Sequence, residues 1–216
     1  MGQGHEMKAV QSALRANDGI GPRPGESGFT LIELMMVLVI VAALLGIAGP
    51  SFQEALRRSR LQSSLNDAVS MLSFARAEAV SRNGPVTACA STDGASCGGQ
   101  AWEAGWLVFV DDGAGAGATA RDGALGGSEE ILRIGDPAAQ AITLRASNFP
   151  ATGNIIFIES GRLDRDQAGT FTICDDRGAA SARALVVNVS GQARLAVDGD
   201  GDGVVEDDLG SAVTCP

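Results

Sequence analysis

The sequence predicts an α+β protein: one long amino-terminal α-helix, partly transmembrane, packed on a carboxyl-terminal head built as an antiparallel β-sheet or β-sandwich. Three observations carry this prediction. An uninterrupted apolar run occupies residues 34–48. A second stretch places apolar residues at alternating steps of four and three, at Leu61, Leu65, Ala68, Leu72, Ala75 and Ala79. After Pro85 the sequence breaks into short β-prone runs separated by Gly, Asp, Asn and Ser.

The apolar run suits a bilayer-spanning helix, and helix-forming residues continue well past it. At about 1.5 Å per residue the whole element reaches roughly 80 Å, with a bend near Gly46, Gly49 and Pro50, where a proline kinks the helix. The four-and-three seam is the signature of a helix with one buried stripe. It is expected to lie against a sheet, leaving Arg60, Asp67, Arg76, Glu78 and Arg82 largely outside. Asn83-Gly84-Pro85 ends the helix, since glycine suits a cap and proline cannot continue. Strand candidates are residues 86–90, 106–110, 131–134, 142–145, 155–159, 170–174, 184–189 and 193–197. Short strands with frequent turn signals argue for an antiparallel head. Residues 113–118 look superficially like a phosphate loop, but no helix pattern follows, which makes them an inter-strand loop.

Composition excludes several function classes. The only His, His5, and the only Lys, Lys8, lie ahead of residue 28, and Tyr is absent from all 216 residues. Beyond that point His-based triads, Lys nucleophiles and histidine-containing zinc sites have no residues to use. Asp111-Asp112, Asp175-Asp176 and Asp207-Asp208 could in principle pair as acid and base; their turn-like surroundings read instead as solvated loops, and no enzyme is expected. The formal net charge is −10, and Lys8, Arg15 and Arg23 balance Glu6, Asp18 and Glu26 before residue 28. All of the net charge therefore belongs to the remainder, which lacks the basic stripe phosphate binding requires.

Four cysteines, Cys89, Cys97, Cys174 and Cys215, all follow the apolar run. An even count on one side of a membrane indicates an oxidising compartment and two bridges. Three pairings are open, with spacing favouring Cys89 to Cys97 and Cys174 to Cys215. Free thiols or a four-thiolate zinc site are the alternatives, the latter weakened by the lack of a Cys-x-x-Cys pair.

Glu33 is the one carboxylate at the edge of the apolar run, and residues 34–53 hold no Lys, Arg or His to neutralise it. A charge inside a spanning helix costs roughly 2.5–3.5 kcal/mol on insertion scales, so it implies a partner from elsewhere. Gly28 followed by Phe29-Thr30-Leu31-Ile32-Glu33 resembles the processing site of type IV prepilins, a family that includes the pseudopilins of type II secretion. The resemblance implies that a prepilin peptidase/N-methyltransferase cuts after Gly28 and methylates the new terminus at Phe29. It also implies that Glu33 pairs with the terminal amine of a neighbouring subunit, and that Pro50 is the helix-kinking proline of these stalks.

Residues 72–82 with 85–89 are similar to the GspH/FimT branch of minor pilins and minor pseudopilins, FimU included. Residues 105–111, 130–133, 171–174 and 183–191 follow in the order that branch has. The implied organisation is a cytoplasmic leader at 1–28 that is cleaved, a transmembrane helix half at 29–53, an amphipathic half at 54–84 and a periplasmic β-rich head at 85–216. The protein would sit in the inner membrane as a single-pass subunit in contact with lipid and with other major and minor pilins or pseudopilins. The implied function is a minor type IV pilin that helps initiate or assemble the pilus; the alternative is a GspH-like minor pseudopilin.

Two further sites are legible. Asp198, Asp200 and Asp202, the Val204 carbonyl, and Glu206, Asp207 or Asp208 alternate with glycines as calcium loops do, although Leu209 holds the place of the usual bidentate Glu. Calcium is the only cofactor the sequence raises. Some FimT-like proteins are DNA-uptake receptors that use a Gly-Arg-x-Arg motif. The corresponding place here is Gly191-Gln192-Ala193-Arg194, so Arg194 is the sole arginine left, and with the acidic balance DNA is not expected as a partner.

Overall fold

A computed structural model describes residues 28–149, 153–166 and 168–216, with the side chains of residues 47–50 and 166 outside that description. The chain divides into two compact units, residues 1–50 and 51–216. One helix, α1 (Leu31–Arg82), runs through both.

In the first unit α1 is apolar all round and bare. Leu31 is 76% and Val39 69% exposed, with Ile32, Met36 and Leu45 similarly open. A helix of this kind needs an apolar environment that the described residues do not supply. No single helix among the described residues is long and apolar enough to cross a bilayer; Leu31–Gly46 and Ser51–Arg82 meet length and composition only as a pair.

In the second unit all six seam residues are buried, and Met71 joins them. The stripe is wider than the sequence pattern because the helix meets two sheets. α1 ends as a Schellman motif, with the Gly84 amide bonded to the Ala79 carbonyl at 3.2 Å and the Asn83 amide to Val80 at 3.3 Å. The left-handed position falls on Asn83, with φ 53°. Glycine was expected there, and Asn is the other residue that tolerates it.

Among the described residues eight strands follow, and each expected run falls on one of them. β1 (Val86–Ala90), β2 (Trp106–Val110), β3 (Ile131–Gly135) and β5 (Ile155–Phe157) form one antiparallel sheet in the order β3-β2-β1-β5. β4 (Thr143–Ser147), β6 (Gly169–Cys174), β7 (Arg183–Val187) and β8 (Ala193–Leu195) form the other, in the order β4-β6-β7-β8. β5 and β7 stop earlier than the sequence indicated because tight turns take their ends. Gly161 N bonds to Ile158 O, and Gly191 N to Asn188 O, each at 2.8 Å.

Strand alternation sends one set of side chains inward. Val86, Ala88, Val108 and Phe157 of the first sheet share a core with Leu144, Phe171, Ile173 and Leu185 of the second and with the helix stripe. Each fully buried Phe here stabilises the fold by about 1.5–3 kcal/mol. The outward set is covered as well. Cys89, Leu107 and Phe109 lie under Leu125, while Cys174, Ala182 and Ala184 lie under Val213 with Val205 beside it. Two-sided cover explains why β1 and β6 are buried at every position.

Arg76 departs from its expected solvent position. It is half-buried, and its Nε donates to the Gly161 carbonyl at 2.9 Å. The turn at Gly161 makes this possible, its φ of +74° bringing the backbone against Val80 and Arg76.

Candidate functional site

At the start of α1, Thr30 is the N-cap. Its carbonyl accepts from the Leu34 amide at 3.1 Å and its Oγ1 from the Glu33 amide at 3.3 Å. Thr-x-x-Glu is a capping-box spacing, with Glu33 at N3 in the first turn, where a negative charge complements the helix dipole. That signal was present in the sequence as Thr30 and Glu33. Phe29 is 84% exposed and Glu33 is exposed as well. A Cβ built on Gly28 would meet nothing within 4 Å, so its own fold places no demand for glycine there. Pro50 lies on the helical backbone, and its side chain is outside the described residues, as are residues 1–27.

The cysteines pair as Cys89–Cys97 and Cys174–Cys215. Each bridge lies on the outward face of one sheet, within the small apolar cluster there. The second fastens the carboxyl-terminal tail across β6.

The acidic loop divides into two groups. Asp198, Asp200 and Glu206 bring carboxylate oxygens within 4.8 Å of one another. These oxygens also serve the loop itself: Asp198 accepts from the amides of Gly201 and Gly203 at 2.7 and 2.9 Å, and Glu206 from Gly199 at 2.9 Å. Asp202 accepts from the Val204 amide at 2.8 Å and stands apart from the cluster. Asp207 and Asp208 turn away, which corrects their placement as ligands. Asn148 Nδ2 donates to them at 3.1 and 2.8 Å, and Thr170 Oγ1 donates to Asp208 at 2.8 Å. Burial opposes charge on Asp207, yet the amides of Ser211 and Leu209 with Asn148 outweigh it and hold its carboxyl below the usual range. Of the expected carboxylates, Asp198, Asp200 and Glu206 come together.

The reading of the paired aspartates as solvated loops holds for the exposed Asp112 and Asp176 and fails for Asp111 and Asp175, for a physical reason. Asp111 is fully buried. It accepts from Thr87 Oγ1 at 2.7 Å and from the amides of Arg121 and Gly123 at 2.7 and 3.0 Å. Burial pushes its carboxyl up despite those donors. Asp175 accepts from the Arg177 amide at 3.0 Å and from its guanidinium at 2.6 Å. Arg177 reaches on to Glu54 of the helix, and Arg57 pairs with Asp176 at 3.2 Å. These acids are structural anchors.

Arg194 is exposed on β8, the edge strand of its sheet. Gly191, three residues earlier, has φ +74°, and a Cβ there would run into the Gly161 carbonyl. The glycine of the Gly-x-x-Arg stretch is therefore required by packing of two turns. Arg165 pairs with Asp164 at 3.4 Å.

The family described as type II transport protein GspH matches over residues 64–192. The prokaryotic N-terminal methylation motif matches over residues 23–49. Among solved structures the chain is similar to the type IV minor pilin FimU of Pseudomonas aeruginosa, with 24% identity, 64% of this chain and 90% of that one covered, and a TM-score of 0.48. It is also similar to the minor pseudopilin EpsH of the type 2 secretion system of Vibrio cholerae, with 13% identity, 65% and 99% covered, and a TM-score of 0.41. With the methylation motif at the head of α1 and the GspH match over most of the head, the chain belongs to the GspH family of minor pilins and minor pseudopilins.

Proposed function

We propose that this chain is a non-enzymatic minor pilin, anchored in the inner membrane by α1 with its head in the periplasm and incorporated into a type IV pilus whose assembly it helps to initiate. A prepilin peptidase cuts after Gly28 and Phe29 becomes the methylated amino terminus. The carrying observation is the bare apolar helix that opens on Phe29 and Glu33, with no cation in residues 34–53 to neutralise the carboxylate. An α-amine exposed on a neighbouring subunit supplies that charge, and membrane lipid covers the apolar surface. Mass spectrometry of protein from native membranes tests this directly: the polypeptide begins at N-methyl-Phe29, and an intact leader rejects the reading.

A second reading is favoured by the name of the matching family, type II transport protein GspH. In it the same subunit serves a secretion pseudopilus. Recovery in sheared surface pili supports the first reading; a secretion defect without loss of pili supports the second. DNA uptake is disfavoured by the net charge of −10, and tight, salt-sensitive binding in a gel shift would reverse that judgement. Calcium enters only at Asp198, Asp200 and Glu206. A rise in Tm with millimolar calcium that Asp198→Asn removes would establish it, and an unchanged Tm would take calcium out of the function.

A further inference from the structure

An open pocket of about 750 Å³ lies near the start of the second unit, where Arg58, Ser59 and Gln62 of α1 face Arg177, Ser181 and Arg183 of the segment leading from β6 into β7. Among the described residues no carboxylate lines it. Residues 54–62 and 175–183 together hold five of the thirteen arginines beyond residue 28, against three of the twenty-three carboxylate side chains. In a chain whose net charge is −10 this is a local excess of positive charge. Arg57 is the first cation met after residue 28, and exposed apolar side chains run up to it, with Phe52 and Leu56 just ahead.

The fold accounts for only part of this charge. Glu54 accepts from Arg58 Nε at 3.0 Å and from Arg177 Nη1, which draws the two guanidinium groups together. Arg177 is committed to Asp175 as well, and Arg57 pairs with Asp176 at 3.2 Å. All three carboxylates are thereby taken. The Arg58 side chain is 73% exposed, and among the described residues its two terminal nitrogens make no hydrogen bond. Arg183 is exposed and reaches only the adjacent Ala182 carbonyl, at 3.4 Å. Arginines close to a span on the side opposite the leader run against the usual bias of Lys and Arg toward the cytoplasm. Donors that the fold leaves open there call for a partner.

We propose that this pocket receives the phosphate of an anionic glycerophospholipid from the leaflet that meets the head. Guanidinium groups bind phosphate oxygens through paired N–H donors. Arg58 and Arg183 supply those donors, and Ser59, Gln62 and Ser181 line the same space with groups that bond a headgroup hydroxyl. A bilayer is the source because exposed apolar residues continue to Leu56, two positions before Arg58, and an arginine stem lies along apolar surface while its head stays in the polar layer. Nucleic acid would need a continuous basic stripe, which the acidic remainder of the chain does not offer. The inference rests on the membrane-anchor reading above and adds the headgroup contact made by the head.

The test takes the full chain in non-ionic detergent micelles doped with equal mole fractions of phosphatidylglycerol and phosphatidylcholine of matched acyl chains, and native mass spectrometry counts the lipids retained. One arginine at an anionic surface is worth about fivefold, so phosphatidylglycerol is expected to be retained at least about fivefold over phosphatidylcholine. Arg58→Gln with Arg183→Gln is expected to bring the two lipids within about twofold of each other and to leave Tm unchanged, since both side chains are on the surface. Arg82→Gln with Arg121→Gln removes the same charge outside the pocket and is expected to keep the preference. Equal retention of the two lipids by the unaltered chain, or an equal loss in both variant pairs, overturns the proposal. Displacement of the lipid by millimolar inorganic phosphate, beyond that caused by chloride at the same ionic strength, overturns the bilayer as the source. The amino terminus of protein from native membranes is read in parallel. Phe29 termini without a lipid preference overturn the site and leave the anchor reading standing; an intact leader overturns that reading and with it the lipid named here.

Discussion

Thr30 accepts a hydrogen bond from the Glu33 amide at 3.3 Å, so the residue expected to join subunits also holds the N3 position of its own helix. The two roles separate under Glu33→Gln, which keeps the side-chain length and hydrogen-bonding capacity and removes the charge. Were capping the whole role, glutamine would serve. The assembly reading expects normal cutting after Gly28 and at least about tenfold less incorporation, since the neighbouring amine loses its counter-charge in an apolar setting. Immunoblots of sheared fibres decide it: wild-type incorporation of this variant would reject the role.

The two bridges close loops of different reach, with sequence separations of 8 and 41. On the chain-entropy account the short loop is worth about 2.5 kcal/mol and the long one about 4 kcal/mol. Cys174→Ser with Cys215→Ser is therefore expected to destabilise the head more than Cys89→Ser with Cys97→Ser. It should also free the tail to proteolysis, because Val213 then covers Ala184 without a tether. Denaturant midpoints rank the pairs, and equal losses would count against the entropic account.

Legibility of the fold and of the candidate site followed the range of the interactions. The helix seam was readable because one stripe packs on the sheets at every step, and the eight strands because β-prone runs alternate with turn residues. The methylation motif over residues 23–49 was readable because it is contiguous. Asp111 and Asp208 were misread because partners of each lie far away in the chain, Thr87 for Asp111 and Thr170 for Asp208, while their neighbours look like turns; Asp175 was misread although its partner Arg177 is only two residues on. Strand parity held a usable signal. Asp111 continues the face of Leu107 and Phe109, and Asp175 the face of Ile173, so each side chain follows its strand's alternation into protein.

Acid should weaken the head through Asp175. Burial opposes its charge, but the Arg177 guanidinium and amide hold its carboxyl below the usual range. Glu103 behaves in the same sense, with Arg145 outweighing burial. A folded pKa below the unfolded value of about 3.9 gives stability that is complete above that value and lost as pH falls through the folded one. Asp111 has the opposite sign, its contribution being lost as pH rises through its raised folded value. Asp175→Asn is expected to lower stability by about 1–3 kcal/mol at pH 7 and to flatten the decline below about pH 4. Denaturation midpoints at pH 7, 5 and 3.5 check both, and an unchanged acid slope would remove Asp175 from the account.

Gly191 and Gly178 both have positive φ, +74° and +78°, and differ in surroundings. A Cβ on Gly178 would meet nothing within 4 Å, whereas one on Gly191 would run into the Gly161 carbonyl and lie 3.1 Å from the Phe157 ring. Gly178→Ala should therefore lose only the conformational term of its φ 78°, ψ −165° backbone, about 1–3 kcal/mol. Gly191→Ala must in addition push apart the two turns that seat Arg76 against the head, and should lose more than about 3 kcal/mol. Both variants add the same methyl group at nearly the same φ, and only Gly191→Ala adds a backbone clash. Equal losses in the two variants would mean that the Gly161–Gly191 contact yields without cost. Gly191 would then be free to serve something other than the join between turns.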